Sequence, residues 1–182
     1  MVSPRKFAHV VYQTGRFTEM VAWYESVLGC RAVYQNDFLS FLTYDDEHHR
    51  VAIAAIPGLQ GDGVDHSGPG VNHVAYTYAD LSDLLGNYER LRDAGVLPYW
   101  SVNHGPTVSM YYRDPDGNQM EFQVDVFATP EEATDWMEGP DFAQNPIGVD
   151  YDPEELLAQH RAGVPEVELL ARPDGPMAAI PS

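Results

Sequence analysis

Three residues of the 182-residue chain have side chains and sequence surroundings suited to binding a divalent metal ion: His9, His73 and Glu121. Each histidine stands in a short segment rich in β-branched and aromatic residues, and the glutamate stands between Met120 and Phe122 in a similar segment. Two neutral imidazoles and one carboxylate that leave coordination positions open form the facial triad typical of non-haem iron(II) oxygenases. Mn(II) is chemically acceptable at such a site, and Zn(II) stays open. We therefore predict one metal site with these three ligands.

Each of these residues also has an ordinary structural explanation, as a half-buried strand histidine or a solvent-facing glutamate. An internal repeat favours the metal site instead. The segment Phe-Ala-His-Val-Val-Tyr around His9 recurs as Val-Asn-His-Val-Ala-Tyr around His73, 64 residues later. At the same spacing, Tyr24-Glu25 recurs as Tyr88-Glu89. The repeat places the two histidines at equivalent positions of two related units.

The two units predict the same order of elements, βαβββ, twice. The apolar spacing of a helix runs from Phe17 to Leu28 in the first unit. In the second, a helix starts after Asp80, a good N-cap, and stops at Gly95. The strands predicted after the helices are Arg31–Gln35, Phe38–Tyr44 and Arg50–Ile56, and then Val96–Val102, Thr107–Arg113 and Gln119–Val126. We expect an α+β fold whose sheets turn one face to the helices; if the two sheets face each other, the three metal ligands can share one cleft.

We predict one domain over residues 1–127, made of modules at about residues 7–56 and 71–127. The Gly- and Asp-rich segment Pro57–Pro69 has no periodic pattern and is predicted to be a linker. Residues 128–182 form a C-terminal extension, for which we expect one or two helices that pack on the body or on a second subunit.

Composition narrows the classes of function. The formal net charge of −18 argues against nucleic acid as a partner, because binding to phosphates needs clustered Lys and Arg. The sequence contains no long apolar run and no basic amphipathic segment, so we expect no membrane association. The single cysteine, Cys30, excludes an internal disulfide and suits a reducing cytoplasm, and we predict that it is a buried structural thiol.

At these residues the sequence resembles the vicinal oxygen chelate superfamily, also called the glyoxalase/bleomycin-resistance/dioxygenase fold. The repeat, the two histidine strands and the segment Tyr-Tyr-Arg-Asp-Pro-Asp-Gly-Asn-Gln-Met-Glu-Phe carry the resemblance, which covers roughly residues 7–127. Glyoxalase-like members take an additional ligand from the last strand of the first repeat. Here that strand, Val51–Ile56, contains no Glu, Gln or His. Three protein ligands leave room for both oxygens of a catechol and for dioxygen, so the resemblance points to a single-domain form of the extradiol dioxygenase branch.

The resemblance implies three further site residues. His49, the second of the His48-His49 pair, corresponds to the acid–base catalyst, although a polar hairpin end explains this pair as well. Tyr111 corresponds to the tyrosine that hydrogen-bonds a substrate oxygen, and its neighbour Tyr112 should face the other way and pack. His104 resembles another active-site histidine, and a loop histidine without a catalytic role is the alternative. An apolar pocket for the aromatic ring is expected from Tyr99, Trp100, Met110 and Phe122.

The function that the resemblance implies is extradiol (meta-cleaving) opening of a catechol such as 2,3-dihydroxybiphenyl, with a mononuclear non-haem Fe(II) and dioxygen as co-substrate. Two alternatives remain open. One is a glyoxalase-like metal-dependent lyase or isomerase, and the other is a non-catalytic small-molecule-binding resistance protein of the same fold. Because the fold often pairs through its sheets, a homodimer or a larger homo-oligomer is expected.

Overall fold

The computed structural model describes residues 1–59 and 68–181. Most of the predicted linker, residues 60–67, lies outside the described residues. The chain forms two compact units, one of Met1–Ser67 with Asp114–Asn118, and one of Gly68–Arg113 with Gln119–Ser182. Each unit has its own sheet and its own packed helix.

The first unit has a four-stranded sheet covered by one helix. A left-handed glycine, Gly29 (φ 60°), ends this helix, and the apolar face that packs on the sheet contains the buried Met20 and Tyr24. The strand order is β1-β4-β3-β2, with β1 parallel to β4 and the other pairs antiparallel. The elements are β1 (Val10–Thr14), α1 (Phe17–Leu28), β2 (Arg31–Gln35), β3 (Leu39–Thr43) and β4 (Val51–Ala55).

Two buried polar contacts stabilise the first unit near α1. The Tyr24 hydroxyl donates to the Asp114 carboxylate at 3.1 Å, and that carboxylate also accepts from the backbone amides of Asp116 and Asn118. Cys30 is buried, and its thiol donates to the Tyr24 carbonyl at 3.2 Å. Burial, followed by the negative charge of Glu25, raises the pKa of Cys30 to about 12. The prediction of a buried structural thiol is confirmed.

The second unit repeats the pattern and then extends it. Its strand order is β5-β8-β7-β6-β9, with β5 parallel to β8. Asp80 caps the helix as predicted, its side chain accepting from the Asp83 amide at 2.9 Å. The first elements are β5 (His73–Thr77), α2 (Leu81–Asp93), β6 (Trp100–Asn103), β7 (Thr107–Arg113) and β8 (Gln119–Asp125). The predicted βαβββ order of both modules and the α+β class are confirmed.

The C-terminal extension contains more structure than the one or two helices expected. Its elements, within the described residues 128–181, are α3 (Pro130–Met137), α4 (Pro140–Gln144), β9 (Val149–Asp150), α5 (Pro153–Arg161) and α6 (Glu166–Leu170). The strand β9 pairs antiparallel with β6 and so widens the second sheet. Among the described residues, no helix is long and apolar enough to cross a membrane.

Candidate metal centre and active site

Glu121 lies in the middle of β8 and is 5% exposed. Side chains alternate along a strand, so Glu121 faces away from its neighbours Met120 and Phe122, which are fully buried on the helix side. Across the sheet it lies opposite Tyr111 of β7 and beside Ala75 of β5. A buried carboxylate therefore stands on the sheet face that α2 does not cover.

His73, the first residue of β5, is the nearest predicted ligand to this carboxylate. Its Nε2 lies 3.1 Å from a Glu121 carboxylate oxygen, and its Nδ1 lies 2.8 Å from the Asn72 side-chain oxygen. An amide oxygen only accepts, so Nδ1 donates to Asn72. Such an outer hydrogen bond is the usual way in which a ligating histidine is oriented. Nε2 then faces the carboxylate across a gap that a shared proton or a metal ion can bridge.

The surroundings of Glu121 keep it ionised, as a metal ligand must be. Burial by itself opposes ionisation. Hydrogen bonds from His73 and Ser109, together with the electrostatic influence of the His73 and His104 side chains, outweigh burial and lower the pKa of Glu121 below its ordinary value.

His104 and Tyr111 complete a cluster on the same sheet face. His104 Nε2 lies 3.0 Å from the Tyr111 hydroxyl and 3.9 Å from a Glu121 carboxylate oxygen. The Tyr111 ring is perpendicular to the His73 ring at 5.3 Å and is stacked on the Trp100 ring at 4.8 Å. Burial, and then the charge of Glu121, raise the pKa of Tyr111 far above its ordinary value, so the phenol keeps its proton.

The other two predicted histidines lie in the first unit. His9 is exposed and immediately precedes β1, and its ring centroid is 4.3 Å from that of His49. His49 stacks on Phe41 at 4.5 Å, and its Nδ1 is 2.6 Å from His48 Nδ1. Burial, and then the charges of His9 and His48, lower the pKa of His49. The ring of His49 therefore favours the neutral, basic form.

Arg50 fixes the chain just before His9. Its guanidinium donates to the Phe7 carbonyl at 2.7 Å and the Ala8 carbonyl at 3.2 Å, and to the Asp45 carboxylate at 2.9 Å. The entry to β1 is thus tied to the turn that carries His48 and His49.

The structure thus brings the predicted site residues together in two groups. His73, Glu121, His104 and Tyr111 share one sheet face of the second unit, and His9 and His49 are in ring contact in the first. The part of the chain that is described contains no group of three or more His, Cys, Asp or Glu side chains placed to hold a metal ion.

The family model described as Glyoxalase/Bleomycin resistance protein/Dioxygenase superfamily matches residues 6–122 of this chain. The chain belongs to this superfamily. The resemblance inferred from the repeat and from the closing strand is therefore confirmed.

Two curated members of the superfamily are similar over nearly the whole chain. Biphenyl-2,3-diol 1,2-dioxygenase 3 of Rhodococcus globerulus is 47% identical over 174 residues, which are 94% of this chain and 90% of the relative. Biphenyl-2,3-diol 1,2-dioxygenase 2 of the same organism is 46% identical over 91% of this chain and 86% of the relative. These similarities extend through the C-terminal extension and place the chain with metal-dependent oxygenases that use dioxygen, the branch predicted from the sequence.

Solved structures of the superfamily agree at the level of fold. The glyoxylase/bleomycin resistance protein/dioxygenase domain from Frankia sp. EAN1pec superimposes with a TM-score of 0.57 at 21% identity, covering 68% of this chain and 99% of that domain. This similarity confirms the vicinal oxygen chelate fold and carries no information on the reaction.

The expected apolar pocket was wrong at two of its four residues. Met110 and Phe122 are fully buried on the helix side of the sheet, where the Tyr112 hydroxyl contacts the Met110 sulfur and the Tyr112 ring packs 5.0 Å from Phe122. Each is adjacent in sequence to a site residue, Tyr111 or Glu121, and strand alternation turns it away. The other two, Tyr99 and Trp100, contact Tyr111, and their part in a substrate pocket stays a prediction.

Sequence reasoning also missed residues that act on the site. Asn72 orients His73, and Ser109 hydrogen-bonds Glu121. Asn72 directly precedes a predicted ligand, and Ser109 is two residues from Tyr111 on the same strand face, so strand alternation alone could have identified it.

Proposed function

We propose that this chain is an extradiol, meta-cleaving dioxygenase that opens catechols of the 2,3-dihydroxybiphenyl type. The observation that carries the proposal is the 47% identity, over 94% of the chain, to a biphenyl-2,3-diol 1,2-dioxygenase. The buried Glu121 carboxylate with His73, Tyr111 and His104 around it supports the proposal independently.

The residues of the second unit fit a hard or borderline divalent ion. His73 and Glu121 offer one imidazole nitrogen and one ionised oxygen separated by 3.1 Å, and Asn72 holds the imidazole from behind. A metal ion bound by both would lie between Nε2 and the carboxylate. We propose these two residues, with His9 as the third ligand predicted from the sequence, as the holders of Fe(II); Mn(II) is an accepted substitute.

When bound, Fe(II) acidifies the catechol hydroxyls and mediates electron transfer between the ring and dioxygen. Residues of the protein bind the substrate and transfer its protons. Tyr111, protonated and buried, hydrogen-bonds a substrate oxygen. Trp100, stacked on Tyr111, gives the aromatic ring of the substrate an apolar wall. His49, whose lowered pKa keeps it neutral, accepts a substrate proton and returns it later.

In glyoxalase-like members the last strand of the first repeat supplies an additional metal ligand. In this chain the same strand favours the dioxygenase reaction over the glyoxalase reaction. The strand β4, Val51–Ala55, carries only Val, Ala and Ile, and its first three residues are buried. It supplies no group that can bind a metal, so more coordination positions stay available to a catechol and dioxygen.

The test uses protein purified without oxygen and loaded with Fe(II). Addition of 2,3-dihydroxybiphenyl and dioxygen should consume oxygen and form a yellow ring-opened product, and His73→Ala should do neither. If the protein binds one iron per chain but consumes no oxygen with simple or biphenyl-type catechols, the proposal is refuted. Turnover of a glutathione hemithioacetal by the same sample would favour the glyoxalase-like alternative. A homodimeric or larger assembly and a cytoplasmic location are further proposals, based on the sequence alone.

A further inference from the structure

The loop that carries His104 is enclosed by the C-terminal extension. The Trp136 ring of α3 lies so close to Gly105 that a Cβ there would approach it to 2.0 Å. A Cβ on Gly148 would meet the His104 Cα at 2.8 Å. The Arg172 guanidinium is 3.5 Å from the His104 carbonyl. Residues well beyond the family match, which ends at residue 122, thus surround a histidine of the candidate site.

One backbone carbonyl of the extension sets the orientation of the His104 ring. His104 Nδ1 is hydrogen-bonded to the Ile147 carbonyl. A carbonyl only accepts, so Nδ1 carries a proton. In a singly protonated ring Nε2 is then the acceptor, and it faces the Tyr111 hydroxyl at 3.0 Å. The Ile147 carbonyl is held in place by the Asn145 side chain, which accepts from the Ile147 and Gly148 amides at 3.2 and 2.8 Å.

A side chain of the extension fixes the second partner of Tyr111. Trp100 Nε1 donates to the Asp150 carboxylate of β9 at 2.8 Å, and the Trp100 ring stacks on Tyr111 with 28° between the planes. Val102, Tyr111 and Ala178 also form one buried apolar cluster, which adds a third contact from the extension.

We propose that the C-terminal extension positions side chains of the active site. Through the Ile147 carbonyl and the Asp150 carboxylate it orients His104 and Trp100, and these two rings hold Tyr111 in the position it needs toward the substrate. Ile147 and Asp150 are positioning residues. With Nε2 of His104 as acceptor, the Tyr111 hydroxyl has two acceptors beside it, His104 and the Glu121 carboxylate, and its proton turns from them to a substrate oxygen when the catechol binds. The substrate part of this inference rests on the proposed function.

The kinetic test compares variants of Asp150 in the iron-loaded enzyme. Asp150→Leu removes the acceptor of Trp100, and we expect kcat to fall about tenfold or more with unchanged iron content. Asp150→Asn retains an acceptor oxygen and should restore most of the loss. Glu154→Ala is the matched control, because it removes contacts of the extension with α2, away from Tyr111. Equal kcat in Asp150→Leu and Glu154→Ala would overturn the proposal.

A second test does not require activity. Nitrogen-15 NMR of the metal-free protein, with the ring singly protonated, should show His104 protonated on Nδ1 and unprotonated on Nε2. Gly148→Ala places a Cβ 2.3 Å from the Asn103 carbonyl at a φ of +111° and should shift the Ile147 carbonyl, mixing the two tautomers. A proton on Nε2 in the unaltered protein would overturn the proposal. An inactive but correctly protonated wild type would instead count against the proposed function.

Discussion

At the scale of single residues, Tyr111 is where the interactions of the site converge. Its hydroxyl lies 3.0 Å from His104 Nε2, and its ring contacts the rings of His73 and Trp100. Because burial and the charge of Glu121 raise its pKa, the phenol stays protonated across the physiological range. Tyr111 is therefore suited to hydrogen-bond a substrate oxygen and unsuited to act as a base.

Replacing Tyr111 with Phe tests this role. We expect kcat/KM for the catechol to fall about 10- to 1,000-fold, because one oriented hydrogen bond to a charged oxygen is lost. Iron content should not change. Tyr112→Phe is the matched control: Tyr112 is the next residue on β7, packs on the helix side, and should keep near-normal kinetics. Steady-state kinetics, with an assay of the iron content of each variant, measure the effect. Equal losses of kcat/KM in Tyr111→Phe and Tyr112→Phe would contradict the role assigned to Tyr111.

His49 gives a prediction on pH dependence. Its pKa is lowered by burial and by the charges of His9 and His48, so its proton is lost at a lower pH than the ordinary value of about 6.5. A base must be unprotonated, so the acidic limb of the kcat/KM profile should lie below about pH 6.5.

His49→Ala should abolish turnover with iron retained, whereas the exposed His48 should tolerate alanine. Loss of iron in His49→Ala would mean that its role had been assigned wrongly.

At the scale of elements, α5 of the extension is joined to α2 by a charged network. Glu154 accepts from the Tyr88 hydroxyl at 2.7 Å and from Arg92 at 2.9 Å. These hydrogen bonds, that of Tyr88 first, lower the pKa of Glu154 below its ordinary value. The stability that this carboxylate contributes is therefore present above the unfolded-state pKa of about 4.3 and is lost as the pH falls through the lower folded-state value.

Thermal unfolding of the wild type and of Glu154→Gln, measured from pH 7 downward, tests this link. The wild type should have the higher Tm at pH 7, and the difference should vanish only at pH values below about 4. A difference that does not vary with pH would show that the charge of Glu154 plays no part.

The elements also show what sequence reasoning can and cannot reach. The helix spacing of Phe17 to Leu28 and the cap at Asp80 are local signals, and both are found as predicted. β9 is two residues long, too short for any periodic pattern, and pairs with β6 only because the extension folds back. The Ile147 carbonyl has no side-chain signature, so its contact with His104 could not be predicted.

At the scale of the whole molecule, metal binding and stability should be coupled. An ion that binds only the folded chain raises its free energy of unfolding, and one hundredfold excess over Kd corresponds to about 2.7 kcal/mol. We expect Fe(II) to raise Tm in the wild type and not in Glu121→Gln. Gln123→Ala, on the same face of β8, is the control and should keep the shift. Differential scanning calorimetry in the absence of oxygen measures the rise in Tm on addition of Fe(II). An equal rise in wild type and Glu121→Gln would show that Glu121 is not a metal ligand.

The central claim is that the chain inserts both atoms of dioxygen into a catechol and opens the ring beside its hydroxyls. Mass spectrometry of the product formed from 2,3-dihydroxybiphenyl under isotopically labelled dioxygen tests it most directly. We expect one product that carries two labelled oxygen atoms and is cleaved outside the diol. A product with no labelled oxygen, or one cleaved between the two hydroxyls, would contradict the account.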